Sequence, residues 1–288
     1  MRTIIGAFGC LLALAAGNVR AVNIQVTDSG FRPQGEKDGK KFSYREIVLQ
    51  TGNVDYELVP AIVETGGKQF ISGLSIRGGV PGGRGFSKRG WGTNGFSDVR
   101  LGDQRLFDFP VEIKTVENGV VFSFATGDGP ADLTFSAQAG GDKLFLEMKF
   151  PKRTAGIQVR LTAYPGDLNK GKYELNDRWI ATPKRQVQNQ KVAWDRAPEI
   201  TLGKNEPWIY YYDTLNNPDG KPAFSTCALL YNPGEMEKAT VRVGNYGIQT
   251  ALSSAAAVDA IHLIFLEFPG RNYLKALEYM KGLSIKTG

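Results

Sequence analysis

Histidine and cysteine are nearly missing from this chain, with one His and two Cys in 288 residues. If Cys10 leaves with an N-terminal leader, Cys227 alone remains, and neither a CxxC redox pair nor a Cys/His zinc cluster can be assembled. A lone thiol inside the apolar run "CALLY" reads as a small hydrophobe, so stability must come from burial rather than from disulfides. With His262 as the single histidine, no Ser–His–Asp order is convincing. The phosphate motif GxxxxGK[ST] is absent and no GxGxxG follows a predicted strand, so no cofactor is expected. No metal site is assigned, and calcium is only weakly signalled: "GDLNKG" offers Asp167 and Asn169 without the remaining ligands of a calcium loop. Beyond the N-terminus no apolar run approaches the roughly 20 residues that a membrane-spanning helix needs.

The N-terminus itself, "MRTIIGAFGCLLALAAGNVRA", has Arg2, an apolar run from Ile4 to Ala16, and small residues at Val19 and Ala21. That is the layout of a secretory signal peptide over residues 1–21, with a retained anchor as the alternative. The mature chain is therefore expected from residue 22, secreted or periplasmic, as one domain to residue 288. Loss of Arg2 and Arg20 lowers the formal charge from +6 to +4. So mild an excess is not a nucleic-acid signature, and with export no nucleic-acid partner is expected. It suits a poly- or oligosaccharide, including an acidic one, with a solvated surface lacking any partner as the alternative.

Alternation of apolar and polar residues dominates what is present. In "LFLEMKF", Leu144, Leu146, Met148 and Phe150 alternate with Phe145, Glu147 and Lys149. "GIQVRLTAY", "VVFSF", "ADLTFSAQ" and "ATVRVG" repeat the scheme, and turn signals such as "ENG", "GDGP", "AGGD", "NNPDG" and "NPGE" separate them. Such a cadence predicts an all-β protein, a large β-sandwich. One short helix is predicted near the C-terminus, where "RNYLKALEYMKG" spaces Tyr273, Ala276, Leu277 and Met280 at three and four. Residues 77–105 hold nine Gly and six Arg or Lys, and predict a Gly-rich basic surface loop. The loop is either a connector or a lid with Trp91 at its tip.

The succession "GVVFSFAT", "ADLTFSAQ", "DKLFLEMKF" resembles the galactose-mutarotase-like supersandwich in strand rhythm, over about half of the mature chain. The resemblance implies consecutive strands of a large twisted sheet and a fold that often holds carbohydrate. Epimerases of that superfamily use paired histidines and a Glu, a pattern that one histidine cannot supply. Fold alone leaves function open.

Candidate chemistry is spread along the chain. In "NEPWIYYYD", Trp208, Tyr210 and Tyr212 share one strand face and predict core packing, which leaves Tyr211 and Asp213 as an exposed pair. In "AIHLIFLEF" both faces are apolar, so Glu267 either reaches a strand end or meets an arginine. Glu267, Tyr211 and Asp213 are the catalytic candidates, for a hydrolase or lyase of polysaccharide. For ligand binding the candidates are Trp91, Arg153, Arg160, Arg178, Trp179, Arg185 and Tyr211, with Arg178 beside Trp179 as a sugar-acid pair. Three readings follow: a carbohydrate-interacting protein of the cell exterior, a polysaccharide-active enzyme, or a structural surface protein without a small ligand.

Overall fold

The computed structural model describes residues 24–81, 91–165, 177–193, 195–215 and 226–283, and of residues 91–97 the backbone only. The expected signal peptide, Cys10 and "GDLNKG" lie outside the described residues.

The chain opens with a meander: β1 (Gln25–Lys37), β2 (Lys40–Gln50), β3 (Asp55–Thr65), β4 (Lys68–Gly79), β5 (Trp91–Leu101) and the short β6 (Gln104–Arg105). A second meander follows with β7 (Val111–Val116), β8 (Gly119–Thr126), β9 (Gly129–Ala137) and β10 (Lys143–Thr154). The remaining strands are β11 (Ile157–Ala163), β12 (Arg178–Ala181), β13 (Gln186–Gln188), β14 (Glu199–Leu202), β15 (Trp208–Asp213), β16 (Cys227–Tyr231), β17 (Lys238–Val243), β18 (Ile248–Ser254) and β19 (Val258–Glu267). Helix α1 (Tyr273–Gly282) comes last.

Every described pairing is antiparallel, and the strands form two sheets. The first runs β1-β2-β3-β4-β5-β11-β18-β17-β14, with β6 on β5; the second runs β13-β12-β15-β16-β19-β10-β9-β8-β7. The β-sandwich and its single C-terminal helix match the sequence reading. Two hairpins owe their tightness to backbone that only certain residues adopt readily. Asp38 and Gly39 join β1 to β2 at φ of 53° and 71°, and Gly66 and Gly67 join β3 to β4 at 57° and 71°. Positive φ at both central residues gives the turn whose twist suits a two-residue hairpin.

The Gly-rich basic loop of 77–105 needs correcting. Residues 77–79 end β4, and Trp91–Leu101 is strand β5, paired with β4 through Ile76↔Trp91 and with β11 through Val159↔Val99. Glycine weakens a strand but does not forbid one, and two partner strands supply the ladder that its composition disfavours. Trp91 thus begins a strand and is not a loop tip; residues 82–90 lie outside the described set.

The main core fills the space between the sheets with one face of each alternating strand, for example Leu144, Leu146 and Met148 of β10 against Leu58 and Ile76 of the first sheet. A second, smaller core lies on the far side of the second sheet. There Trp208, Tyr210, Tyr212, Leu230, Ile264, Leu266 and Phe268 are covered by Ala276, Leu277 and Met280 of α1. Strands β15, β16 and β19 are therefore apolar on both faces, which is why "CALLY" and "AIHLIFLEF" do not alternate. The Asn272 side chain starts α1 by accepting from the Lys275 N–H at 2.9 Å.

Candidate functional site

The catalytic candidates lie inside the sandwich. All six residues of β15 are buried, so the exposed pair expected at Tyr211 and Asp213 does not exist. Tyr211 points into the main core with its hydroxyl 2.7 Å from Thr250 Oγ1, and burial pushes its phenol well above its ordinary value. A phenol held protonated in that way cannot serve as a base near neutral pH. Asp213 accepts from the backbone N–H of Asp177 (3.1 Å) and of Leu215 (3.0 Å), and lies 3.5 Å from Arg178 Nε. Both side chains of that ion pair are fully buried. A buried charge pair is tolerated only where each partner answers the other, so Arg178 is part of the interior and faces no ligand from solution.

Glu267 is 1% exposed at the end of β19, beside Cys227 in register. Its backbone N–H donates to the Tyr56 hydroxyl at 3.2 Å, which ties the second sheet to the first. Gly78 of β4 approaches so closely that a Cβ there would sit 2.3 Å from Glu267 Cβ. Burial raises the Cys227 thiol well above its usual range; the Glu267 charge pushes it further and the Arg178 charge opposes. Arg178, Asp213, Glu267 and Cys227 thus share one end of the inter-sheet layer, closed to solvent.

The other candidates scatter. Arg185 donates from Nε (2.9 Å) and Nη2 (2.5 Å) to the fully buried Glu206, which also accepts from Thr182 Oγ1 at 2.6 Å and the Gly203 N–H at 2.8 Å. Burial alone would raise the Glu206 carboxyl, but these four hydrogen bonds bring it down to about 2. Arg153 is exposed and donates to the Ala257 carbonyl at 2.7 Å. Arg160 lines a shallow depression of about 290 Å3 on the outer face of the first sheet, with Glu199, Thr240, Arg242 and Gln249. Trp179 does not act with Arg178: consecutive strand residues face opposite sides, and Trp179 stands on the outer face of the second sheet. Only the backbone of Trp91 is described. Among the described residues, no single cleft gathers the other candidate side chains.

His262 sits at the outer face of β19, with Nδ1 2.9 Å from Glu235 and Nε2 3.5 Å from Glu147. The hydrogen bond with Glu235 raises its pKa; burial opposes this, and both carboxylate charges add to it.

A larger opening than that depression lies between the terminal strands of the two sheets. A groove of about 740 Å3 has Phe31 of β1, Arg45 of β2 and Glu64, Lys68 and Gln69 around the β3–β4 turn on one wall. Residues 110–113 of the β7 region, Ser123 and Thr126 of β8, and Pro130 form the other. Phe31 is 45% exposed, with the Arg45 guanidinium carbon 5.3 Å from its ring centroid. Arg45 is itself fixed, donating from Nε to Asp28 at 2.8 Å and from Nη1 to the Ile113 carbonyl at 3.3 Å. Its hydrogen bonds hold the Asp28 carboxyl below the usual range against the effect of burial, helped by the Gly30 N–H. None of these residues was singled out from the sequence. The groove joins residues 31–69 to 110–130, and no local pattern announces that meeting.

No family model matches this chain, and no curated protein matches it. Among solved structures it is similar to the alpha-N-acetylgalactosaminidase NagBb from Bifidobacterium bifidum, in a quadruple-mutant form, at 12% identity and a TM-score of 0.42. The match covers 81% of this chain and 38% of that one, so the chain spans well under half of the enzyme's length. A likeness of that size carries no argument about activity, and the two-sheet architecture stands on the strand pairing described above.

Proposed function

We propose that this is an exported carbohydrate-interacting protein of the galactose-mutarotase-like supersandwich class, holding a neutral oligosaccharide in the groove between its sheet edges. The observation that carries the reading is Phe31: a large aromatic left in water, positioned by an arginine that two further contacts hold still. Sugar rings present apolar C–H faces and a fringe of hydroxyls, and an aromatic beside amide, hydroxyl and charged groups suits both. The groove's volume falls within the roughly 300–1,000 Å3 typical of ligand sites. Arg45 and Lys68 are balanced by Glu64 and Glu112, which favours an uncharged ligand over the acidic glycan that the net charge alone suggests. Glu64 lies 3.5 Å from Lys41 and Glu112 3.1 Å from Lys114, exposed pairs that water screens, so hydrolysis is kept as the second reading and is decided by turnover. Export rests on the leader-like N-terminal segment.

Calorimetric titration with neutral and acidic oligosaccharides tests the reading. Phe31→Ala is expected to weaken binding of a neutral oligosaccharide about tenfold, the upper end of one aromatic contact, without lowering the melting temperature. Absence of binding to every glycan, or binding that ignores the substitution, refutes it. Release of new reducing ends would convert the binding protein into a hydrolase.

A further inference from the structure

The outer face of the second sheet holds an aromatic arrangement that the groove does not use. Tyr212 stacks on Trp179 at 6.1 Å and 14°, on Tyr210 at 5.1 Å and 13°, and on Tyr273 of α1 at 5.5 Å and 4°. Tyr210 and Tyr212 are buried in the second core, whereas Trp179 stands at its rim, partly exposed. The indole is restrained by its Nε1–H, which donates to Asp177 Oδ2 at 3.0 Å. Asp177 also accepts from the Gln188 amide at 2.5 Å and from the Thr214 hydroxyl, and has Lys191 Nζ at 3.7 Å. Burial works to raise the Asp177 carboxyl, yet these donors together hold it below its ordinary range, so it stays charged and keeps its grip on the indole.

The fringe around the indole is polar and exposed. Gln186 and Gln188 sit on the edge strand β13, and Gln188 is the register partner of Trp179. Gln186 Oε1 accepts from the Tyr212 hydroxyl at 2.9 Å, which orients that amide with its NH2 as the donor side. Lys191 adopts φ 57°, a left-handed conformation uncommon outside glycine, and the residue is exposed. The charges of Asp177 and Lys191 cancel.

We propose that Trp179, with Gln186, Gln188 and Lys191, forms a second carbohydrate site, a platform for a neutral pyranose ring on the outer face of the second sheet. Three requirements of such a ligand are met together: a fixed apolar surface for the C–H face, amides that both donate to and accept from hydroxyls, and no net charge. Fixing the aromatic in advance removes most of the ordering cost of binding. The site does not rest on the groove. With both occupied, one chain could hold two points of a long glycan, and the linkage would raise its overall affinity for polymer above that for short oligomers.

The experiment is a calorimetric titration of the full chain with neutral hexasaccharides of glucose, xylose and N-acetylglucosamine, repeated with Phe31→Ala, Trp179→Ala and the double variant. Two binding events are expected in the unmodified protein, with Phe31→Ala leaving one and the double variant none. Because Trp179 touches the second core, Gln188→Ala provides a gentler probe on the exposed edge. It is expected to weaken the event that survives in Phe31→Ala about threefold, with the fold retained by circular dichroism and a melting curve shifted by no more than the loss of its one exposed hydrogen bond to Asp177. The proposal is overturned if Phe31→Ala abolishes all binding, or if Trp179→Ala leaves the surviving event intact. Loss of binding in Trp179→Ala alone, with Phe31→Ala silent, would uphold the platform and remove the groove.

Discussion

Arg185→Ala separates an internal role for this arginine from the ligand role that its charge suggested. Glu206 is fully buried and accepts four hydrogen bonds, two of them from Arg185. Its carboxyl falls from an ordinary 4.5 to about 2, and each tenfold change in ionisation is worth about 1.4 kcal/mol, so the whole set stabilises by at most about 3 kcal/mol. Arg185 supplies half of the hydrogen bonds, but 39% of its side chain is in water, which screens the pair. Half of that total, reduced by the screening, gives an expected loss of about 1 kcal/mol at pH 7. Glu206 is a carboxylate with a depressed pKa, so the contribution is fully present above 4.5 and fades as the pH falls toward 2. Urea denaturation at pH 7 and pH 3 reads both quantities: the gap between Arg185→Ala and the unmodified protein should be widest at pH 7 and shrink at pH 3. A loss below about 0.5 kcal/mol at pH 7, the level of an ordinary surface ion pair, would refute the reasoning. So would an equal loss at both pH values.

Gly78→Ala should destabilise by about 1–3 kcal/mol, the cost of overpacking a filled core, because the new Cβ would meet Glu267 Cβ at 2.3 Å. A denaturation midpoint unchanged by that substitution contradicts the close approach of β4 to β19. His262 faces Glu235 and Glu147, and Glu147 in turn faces Lys149 at 2.9 Å. Its pKa is raised, so its stabilisation is fully present below the ordinary 6.5 and is lost as the pH climbs through the raised value. His262→Gln should cost about 0.5–1 kcal/mol at pH 5.5 and almost nothing at pH 9; thermal melts across that range check it, and a gap that widens with pH defeats it.

Strands with one wet face were the legible part of this fold. Ile157, Val159 and Leu161 against Gln158, Arg160 and Thr162 read as a half-buried strand and are one. The helix over "YLKALEYMKG" was equally plain, since Ala276, Leu277 and Met280 follow helical spacing and are buried. Strand β15 misled because its second face is covered by the other sheet: two-sided burial depends on what packs against a segment, not on its own pattern. Glycines at 92 and 95 read as loop, yet both lie within β5, a strand that pairs with β4 on one side and β11 on the other. For the site, Trp179 was visible as an aromatic, but its supposed partner Arg178 turned inward by simple alternation, and the groove at Phe31 required contacts some eighty residues apart.

Strand β19, last of the nineteen described, lies between β10 and β16 in the second sheet, with Met148 opposite Ile261. Until it arrives, the early half of that sheet, β7 to β10, has no bridge to β12, β13, β15 and β16. A chain emerging from a ribosome or a translocon would carry two exposed half-sheets with unpaired backbone along the gap, a template for aggregation. Closing such distant pairs is slow. Joining the two halves of that sheet therefore waits on β19, and an escorting chaperone would have its greatest effect just before that strand is delivered.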